Sequence, residues 1–290
     1  MPVDAQSSAS IPHFRYCGEV GAFAILSNRG IDMKNGKYGT KWSHDETVIA
    51  LGLYFQIPFG KINQTTPEVV RIARLMGREP ASLSMKMGNI GRLDPTLAQR
   101  GVTGLKNGAK MEEEVWNEYV GRREELAEIY SELLLRLQGH LPLEDDQQIK
   151  TPPGLVGQRL MRYRINQTFF RQSVISAYDY TCCITGINDP RLLIASHIKP
   201  WAKCETGDER TSVENGLCLN ALHDRAFDKG LLTLDDDFRV VYSTSLRDVL
   251  THESFSEYFA KFEGMQIRLP SRARPASAFL SYHRDYVFIR

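Results

Sequence analysis

Between Leu192 and Lys229 the sequence reads as a short strand, a polar loop, a second strand and a helix, and this order limits what the chain can build. The run Leu192-Leu193-Ile194-Ala195-Ser196-His197-Ile198 is short enough for a strand, and Pro200 follows it. A polar stretch continues to Glu214. Asn215-Gly216-Leu217-Cys218-Leu219 reads as the second strand, and Ala221 to Lys229 as a helix carrying His223 and Asp228. Upstream, Phe169 to Tyr178 reads as a helix and Cys182 to Gly186 as a turn. A hairpin packed flat on a helix lets a histidine at the end of the first strand and another on the helix converge on one phosphate. A neutral imidazole can take a proton from an attacking water, whereas phosphodiester cleavage also needs positive charge where the phosphate oxygens gain negative charge. A divalent cation supplies that charge.

The chain has 290 residues, enough for two domains. With 42% hydrophobic and 24% charged residues it is not a chain disordered throughout. Residues 1–12 read as a flexible tail, 13–141 as a helical domain with a connector helix, 142–157 as a linker and 158–290 as a second domain. The linker reading rests on Glu144-Asp145-Asp146 and Thr151-Pro152-Pro153-Gly154. Ser43-His44-Asp45-Glu46 has the form of a capping box, and Val48, Leu51 and Phe55 then recur at helical spacing. Thr66-Pro67 opens a second helix that buries Val69, Ile72, Ala73 and Met76 before Gly77 stops it. A third helix begins near Pro80, with Leu83, Met87 and Ile90 inward and Ser82, Ser84, Lys86 and Asn89 outward. The result is a helix-turn-helix. The glutamate-rich stretch from Lys110 to Gln138 reads as one long helix or two.

The net charge of +1 conceals blocks of opposite sign. From Val69 to Lys110 the basic residues Arg71, Arg74, Arg78, Lys86, Arg92, Arg100, Lys106 and Lys110 face only Glu79 and Asp94. The acidic connector follows, and then Lys150, Arg159, Arg162, Arg164 and Arg171 with no acid between them. Two basic segments about an acidic helix suit a protein that touches phosphate at two places, although solvated helix faces would give the same pattern. No apolar run approaches the length of a membrane span and no signal-like stretch opens the chain, so a cytoplasmic protein without membrane contact is expected. Five irregularly spaced cysteines argue for reduced thiols rather than a disulfide framework.

Through Trp42 and the phrase LMGREPASLSMKMGN the first half resembles the Myb-like or SANT-like tri-helical DNA-binding domains. The resemblance implies a third helix in the major groove, with Ser82, Ser84, Lys86 and Asn89 near bases or phosphates and Arg78 beside them. A bundle that packs on the chain's own second domain, or on a second copy, would use the same helices differently.

The second half resembles the HNH (ββα-metal) endonucleases, in the subgroup with phrases like YxxxCxxTG, SHIxPW, NGLxL and LHxxFDxG. Here these are Tyr178 to Gly186, Ser196-His197-Ile198-Lys199-Pro200-Trp201, Asn215 to Leu219, and Leu222-His223-Asp224-Arg225-Ala226-Phe227-Asp228-Lys229-Gly230. The resemblance implies His197 as general base, Asn215 as a brace for the loop that holds it, His223 as a metal ligand and Lys199 as a phosphate contact. Ser196 and Phe227 stand where other family members carry further ligands, so Asp228 or Asp224, waters and the substrate phosphate would complete the shell. That favours weakly held Mg²⁺ or Mn²⁺. Without paired CxxC motifs, no structural zinc is expected.

The expected protein is α+β, with a helical, helix-turn-helix-like N-terminal domain and a C-terminal ββα-metal nuclease domain. Its expected activity is metal-dependent hydrolysis of DNA phosphodiesters in a restriction or defence role, with a homodimer serving the two strands. The alternatives are a DNA-binding protein with a decayed nuclease core, and a nuclease for RNA or single strands.

Overall fold

The computed structural model describes residues 39–101, 110–139, 154–248 and 253–290. The expected tail, Cys17, Lys106, Lys150 and the linker up to residue 153 lie outside these residues. Helix α1 (His44–Gln56) opens with a complete capping box, in which the Ser43 hydroxyl accepts from the Glu46 amide and the Glu46 carboxylate from the Ser43 amide. From Glu46 to Phe55 it is buried all round, so it forms the post about which the other helices stand. Helix α2 (Pro67–Met76) buries the expected stripe and ends at Gly77, whose φ of 66° lies in the left-handed region that glycine adopts at least cost. Thr66 occupies the N-cap position, but its hydroxyl donates to the Lys61 carbonyl and caps no amide.

Helix α3 (Pro80–Gly91) and the short α4 (Pro95–Gln99) follow. The glutamate-rich stretch is two helices, α5 (Lys110–Tyr119) and α6 (Arg123–Leu137), which pack on α1 through Val115, Trp116, Leu126 and Tyr130. Helix α7 (Gly154–Ala177) is longer than the sequence suggests, for it takes in the last four residues of the expected linker. Its apolar residues do not form one stripe because the helix serves two cores. Ile165 and Phe169 pack with the helical bundle, whereas Phe170 and Val174 enter the core of the C-terminal part.

In that second core, β1 (Leu193–His197) pairs antiparallel with β2 (Gly216–Asn220), so that Leu193 faces Asn220 and His197 faces Gly216. Helix α8 (Gly207–Thr211) lies in the loop between them, and α9 (Ala221–Asp228) packs on both strands. A second antiparallel pair, β3 (Leu232–Leu234) and β4 (Val240–Tyr242), was not legible beforehand, since three residues are too few to show a period of two. Helices α10 (Thr244–Asp248), α11 (Glu253–Tyr258) and α12 (Ser277–Tyr286) follow, α12 resting on β3. The architecture is α+β, a helical N-terminal part followed by small antiparallel sheets.

Arg272 joins the two parts from inside. Its buried guanidinium donates to the carbonyls of Tyr54, Phe55 and Ile57 at 2.6, 2.8 and 3.0 Å, and to the Ser176 hydroxyl at 2.7 Å. These are the carbonyls that the end of α1 leaves without partners, and a cation suits the negative end of that helix. Cys182, Cys183, Cys204 and Cys218 are free and buried. Among the described residues no helix is long and apolar enough to cross a membrane.

Candidate active site

The register of the hairpin ends β1 at His197 opposite Gly216. A Cβ on Gly216 would stand 2.4 Å from Val174 and 3.1 Å from the Phe170 ring, so the glycine lets α7 close on the hairpin. Phe170 thereby stacks on the His197 imidazole with centroids 3.7 Å apart and planes 16° from parallel. The Trp201 ring meets the imidazole edge-on at 5.4 Å. The remaining in-plane constraint is a hydrogen bond from His197 Nε2 to the Arg210 carbonyl, at 2.9 Å. A carbonyl can only accept, so Nε2 carries the proton and Nδ1 keeps a free lone pair in the neutral ring. Burial holds the His197 pKa below the usual imidazole value, with the Arg210 carbonyl opposing it.

Asn215, fully buried, fixes the loop on which this geometry depends. Its Oδ1 accepts from the Lys199 amide at 2.7 Å, and its Nδ2 donates to the carbonyls of Lys199 at 3.2 Å and Glu209 at 2.9 Å. One side chain thus joins the residues after β1 to α8, which presents the Arg210 carbonyl. Lys199 is buried and held by Glu209 at 2.9 Å, so the cation expected to meet phosphate is already neutralised within the loop.

His197 opens on a cleft of about 440 Å³ that Trp201, Asp224, Arg225, Asp228 and Lys229 also line. Asp224 and Asp228 are four residues apart on α9 and share a face. Burial raises both carboxyl pKa values, and the charge of Asp228 raises that of Asp224 further. Asp228 is the more open of the two to solvent. The Ser196 hydroxyl lies beside Asp224 without completing a hydrogen bond to it.

His223, expected to face the same phosphate as His197, does not line this cleft, and its buried Nε2 has no hydrogen-bond partner among the described residues. One residue before Asp224, it is turned about 100° around the helix and lies on the buried side with Phe227. Its ring packs near Phe259 and Phe262 at 5.1 and 5.5 Å, and Nδ1 meets the Asn220 side chain. Burial pushes its pKa down to about 4. Asn220 also caps α9 and donates to the Thr185 hydroxyl at 3.0 Å, so His223 belongs to a knot that ties the Cys182–Thr185 turn to the helix. Among the described residues no group of three or more His, Cys, Asp or Glu side chains is placed to hold a metal. The cleft offers two carboxylates, a set that fits an oxygen-seeking dication whose other positions go to water and phosphate.

Two of the residues expected on an outward face of α3, Lys86 and Asn89, meet a carboxylate of the chain itself. Lys86 is buried and paired with Glu112 at 2.9 Å, and Asn89 Nδ2 donates to the same carboxylate at 3.4 Å. Arg78 is buried, pairs with Glu46 at 2.7 Å, donates to the carbonyls of Thr40 and Lys41, and stacks on Trp42. Ser82 and Ser84 stay partly exposed, the Ser84 hydroxyl donating to the Ala81 carbonyl. Sequence reasoning also passed over Phe170, Trp201 and the Arg210 carbonyl, which hold the His197 ring. Only the position of Trp201, four residues after His197, signalled any of them.

No curated protein matches this chain. Residues 182–235, which span the turn, the hairpin, α9 and β3, match the family model described as HNH endonuclease. Over residues 182–235 the chain is therefore similar to the HNH endonuclease family.

Proposed function

We propose that the protein is a metal-dependent DNA endonuclease in which His197 is the general base and Asp224 and Asp228 are the protein's ligands for Mg²⁺ or Mn²⁺. The observation that carries this reading is the convergence, in one cleft, of an imidazole with a free Nδ1 lone pair and two carboxylates that are partly desolvated and in no ion pair among the described residues. The depressed pKa keeps His197 neutral near pH 7, ready to take the proton of a water. As the ring becomes charged, the Arg210 carbonyl stabilises it through Nε2–H, while Phe170 and Trp201 keep its plane fixed. Arg225 and Lys229 line the same cleft and are the groups available to the phosphate oxygens. A bound dication would supply the positive charge that the phosphate and leaving oxygen require. His223 braces α9 and holds no metal in this reading. A restriction or defence role follows from the family resemblance alone, whereas a homodimer in the cytoplasm is the arrangement expected from the two strands of a duplex and from the sequence.

The test is cleavage of supercoiled and linear DNA with Mg²⁺, Mn²⁺ or excess chelator. Activity is expected at millimolar-order metal and absent with chelator. Asp224→Asn with Asp228→Asn should abolish it at every metal concentration, whereas His223→Ala should leave the metal dependence of the folded fraction unchanged. Undiminished cleavage by the double variant would remove the carboxylates from the mechanism. A non-catalytic DNA-binding protein is the second reading, favoured by the small ligand set among the described residues. Inactivity of the wild type on every DNA form, with binding retained, would establish it.

A further inference from the structure

The arginines of the helical part fall into two sets. Arg78 and Arg92 are paired with Glu46 and Glu113. Arg71 of α2 and Arg164 of α7 make no ion pair among the described residues, yet both line one groove of about 330 Å³. The groove runs over Tyr130 and Phe169, and its other polar walls are Gln56, Ser131, Thr168 and Gln172, neutral groups that can donate or accept. The nearest acid on α2 is Glu68, which bears on the buried Tyr130 hydroxyl and pairs with neither arginine.

We propose that this groove binds phosphates of a DNA backbone, and that it, rather than α3, is where the helical part grips DNA. The inference rests on the reading of the chain as a protein that acts on DNA. Two exposed guanidiniums on one groove, with neutral hydrogen-bonding groups between them, suit the phosphodiester oxygens, which guanidinium recognises with two parallel N–H donors. No carboxylate lines the groove to compete for them. Such contacts position the duplex and carry no base information. Helix α7 carries Arg164 at the groove and, on another face, Phe170 against His197, so one helix fixes the spacing between grip and cleft.

The experiment uses the full chain carrying His197→Ala, so that DNA is bound and not cut. Anisotropy of a labelled duplex is followed from about 50 to about 200 mM salt. Adding Arg71→Ala and Arg164→Ala should weaken binding and flatten the log–log salt slope by about 2, which narrows the affinity gap between the two proteins roughly tenfold across that range. Adding Lys110→Ala instead, an exposed lysine on α5, should leave the slope as it was. Circular dichroism confirms the fold of each variant, both arginines being exposed. An unchanged slope in the double-arginine variant, or an equal flattening by Lys110→Ala, overturns the groove. Plasmid cleavage by the wild type reads the nuclease assignment separately. Binding with the expected slope change but no cleavage keeps the groove and removes the nuclease, and cleavage with an unchanged slope does the reverse.

Discussion

Around α3 the buried cations are matched inside the molecule, Arg78 by Glu46 and Lys86 by Glu112, whereas Asp224, Arg225, Asp228 and Lys229 share one cleft on α9 without an ion pair among them. The first arrangement holds the fold together, since removing one partner of a buried pair strands the other at a cost of about 3–5 kcal/mol. The second leaves charge for a partner from outside. A run of basic residues therefore does not by itself mark a nucleic-acid surface. The positions to test are those where the fold has not supplied its own counter-charge.

The sharpest test of the open side is His197→Ala, which should lower DNA cleavage by about 10²–10⁴-fold with duplex binding intact, as expected for loss of a general base. In the wild type the rate should fall as pH drops through the His197 pKa, and that fall should lie below 6.5 because burial depresses the group. A rate–pH profile breaking above 6.5, or cleavage surviving the substitution, would take His197 out of the role.

Acid should undo the closed side of α9 next. His223 of α9 and His283 of α12, whose ring stacks on Phe227 of α9, are both buried with pKa values pushed down to about 4, so the unfolded chain binds protons that the folded one refuses. Their contribution is therefore whole above pH 6.5 and lost as pH falls towards 4, to the extent of roughly 3 kcal/mol each. Denaturant titrations from pH 7 to pH 4 measure it. His223→Asn and His283→Asn should flatten the dependence, and an unaltered slope in both would show these rings to be accessible to protons in the native state.

The smallest expected effect concerns α3. Lys86→Met should cost no more than about 3 kcal/mol, because Arg92 stands 3.9 Å from the same Glu112 and keeps part of the compensation. DNA affinity and its salt dependence should not change. Loss of affinity with stability intact would reverse the comparison and restore α3 as the helix that meets DNA.

The parts of the fold that were legible in the sequence are those encoded locally. The capping box before α1, the stop at Gly77 and the strand–loop–strand–helix order each depend on residues a few positions apart. The carboxylate pair was legible too, since residues 224 and 228 must share a helix face and residues 223 and 228 cannot. Read from the sequence alone, Asp228 and Asp224 are alternatives that complete a shell around His223, rather than a pair. Lys86 was misplaced for a different reason, because helical periodicity separates two faces of α3 but does not reveal that Glu112, 26 residues later, waits against one of them. Helix α7 was underestimated because a helix between two cores shows no single apolar stripe.

The adjacent residues Phe169 and Phe170, which point from α7 into different cores, bear on how such a chain can be cut and recombined. A fragment ending near Leu141 would lack Ile165 and Phe169, and a nuclease piece begun after α7 would lack the ring that lies on His197. Neither half is a cassette. Chimeras that exchange the helical part for another recognition module must carry α7 with the nuclease and cover the face of α7 that α1 and α6 leave bare.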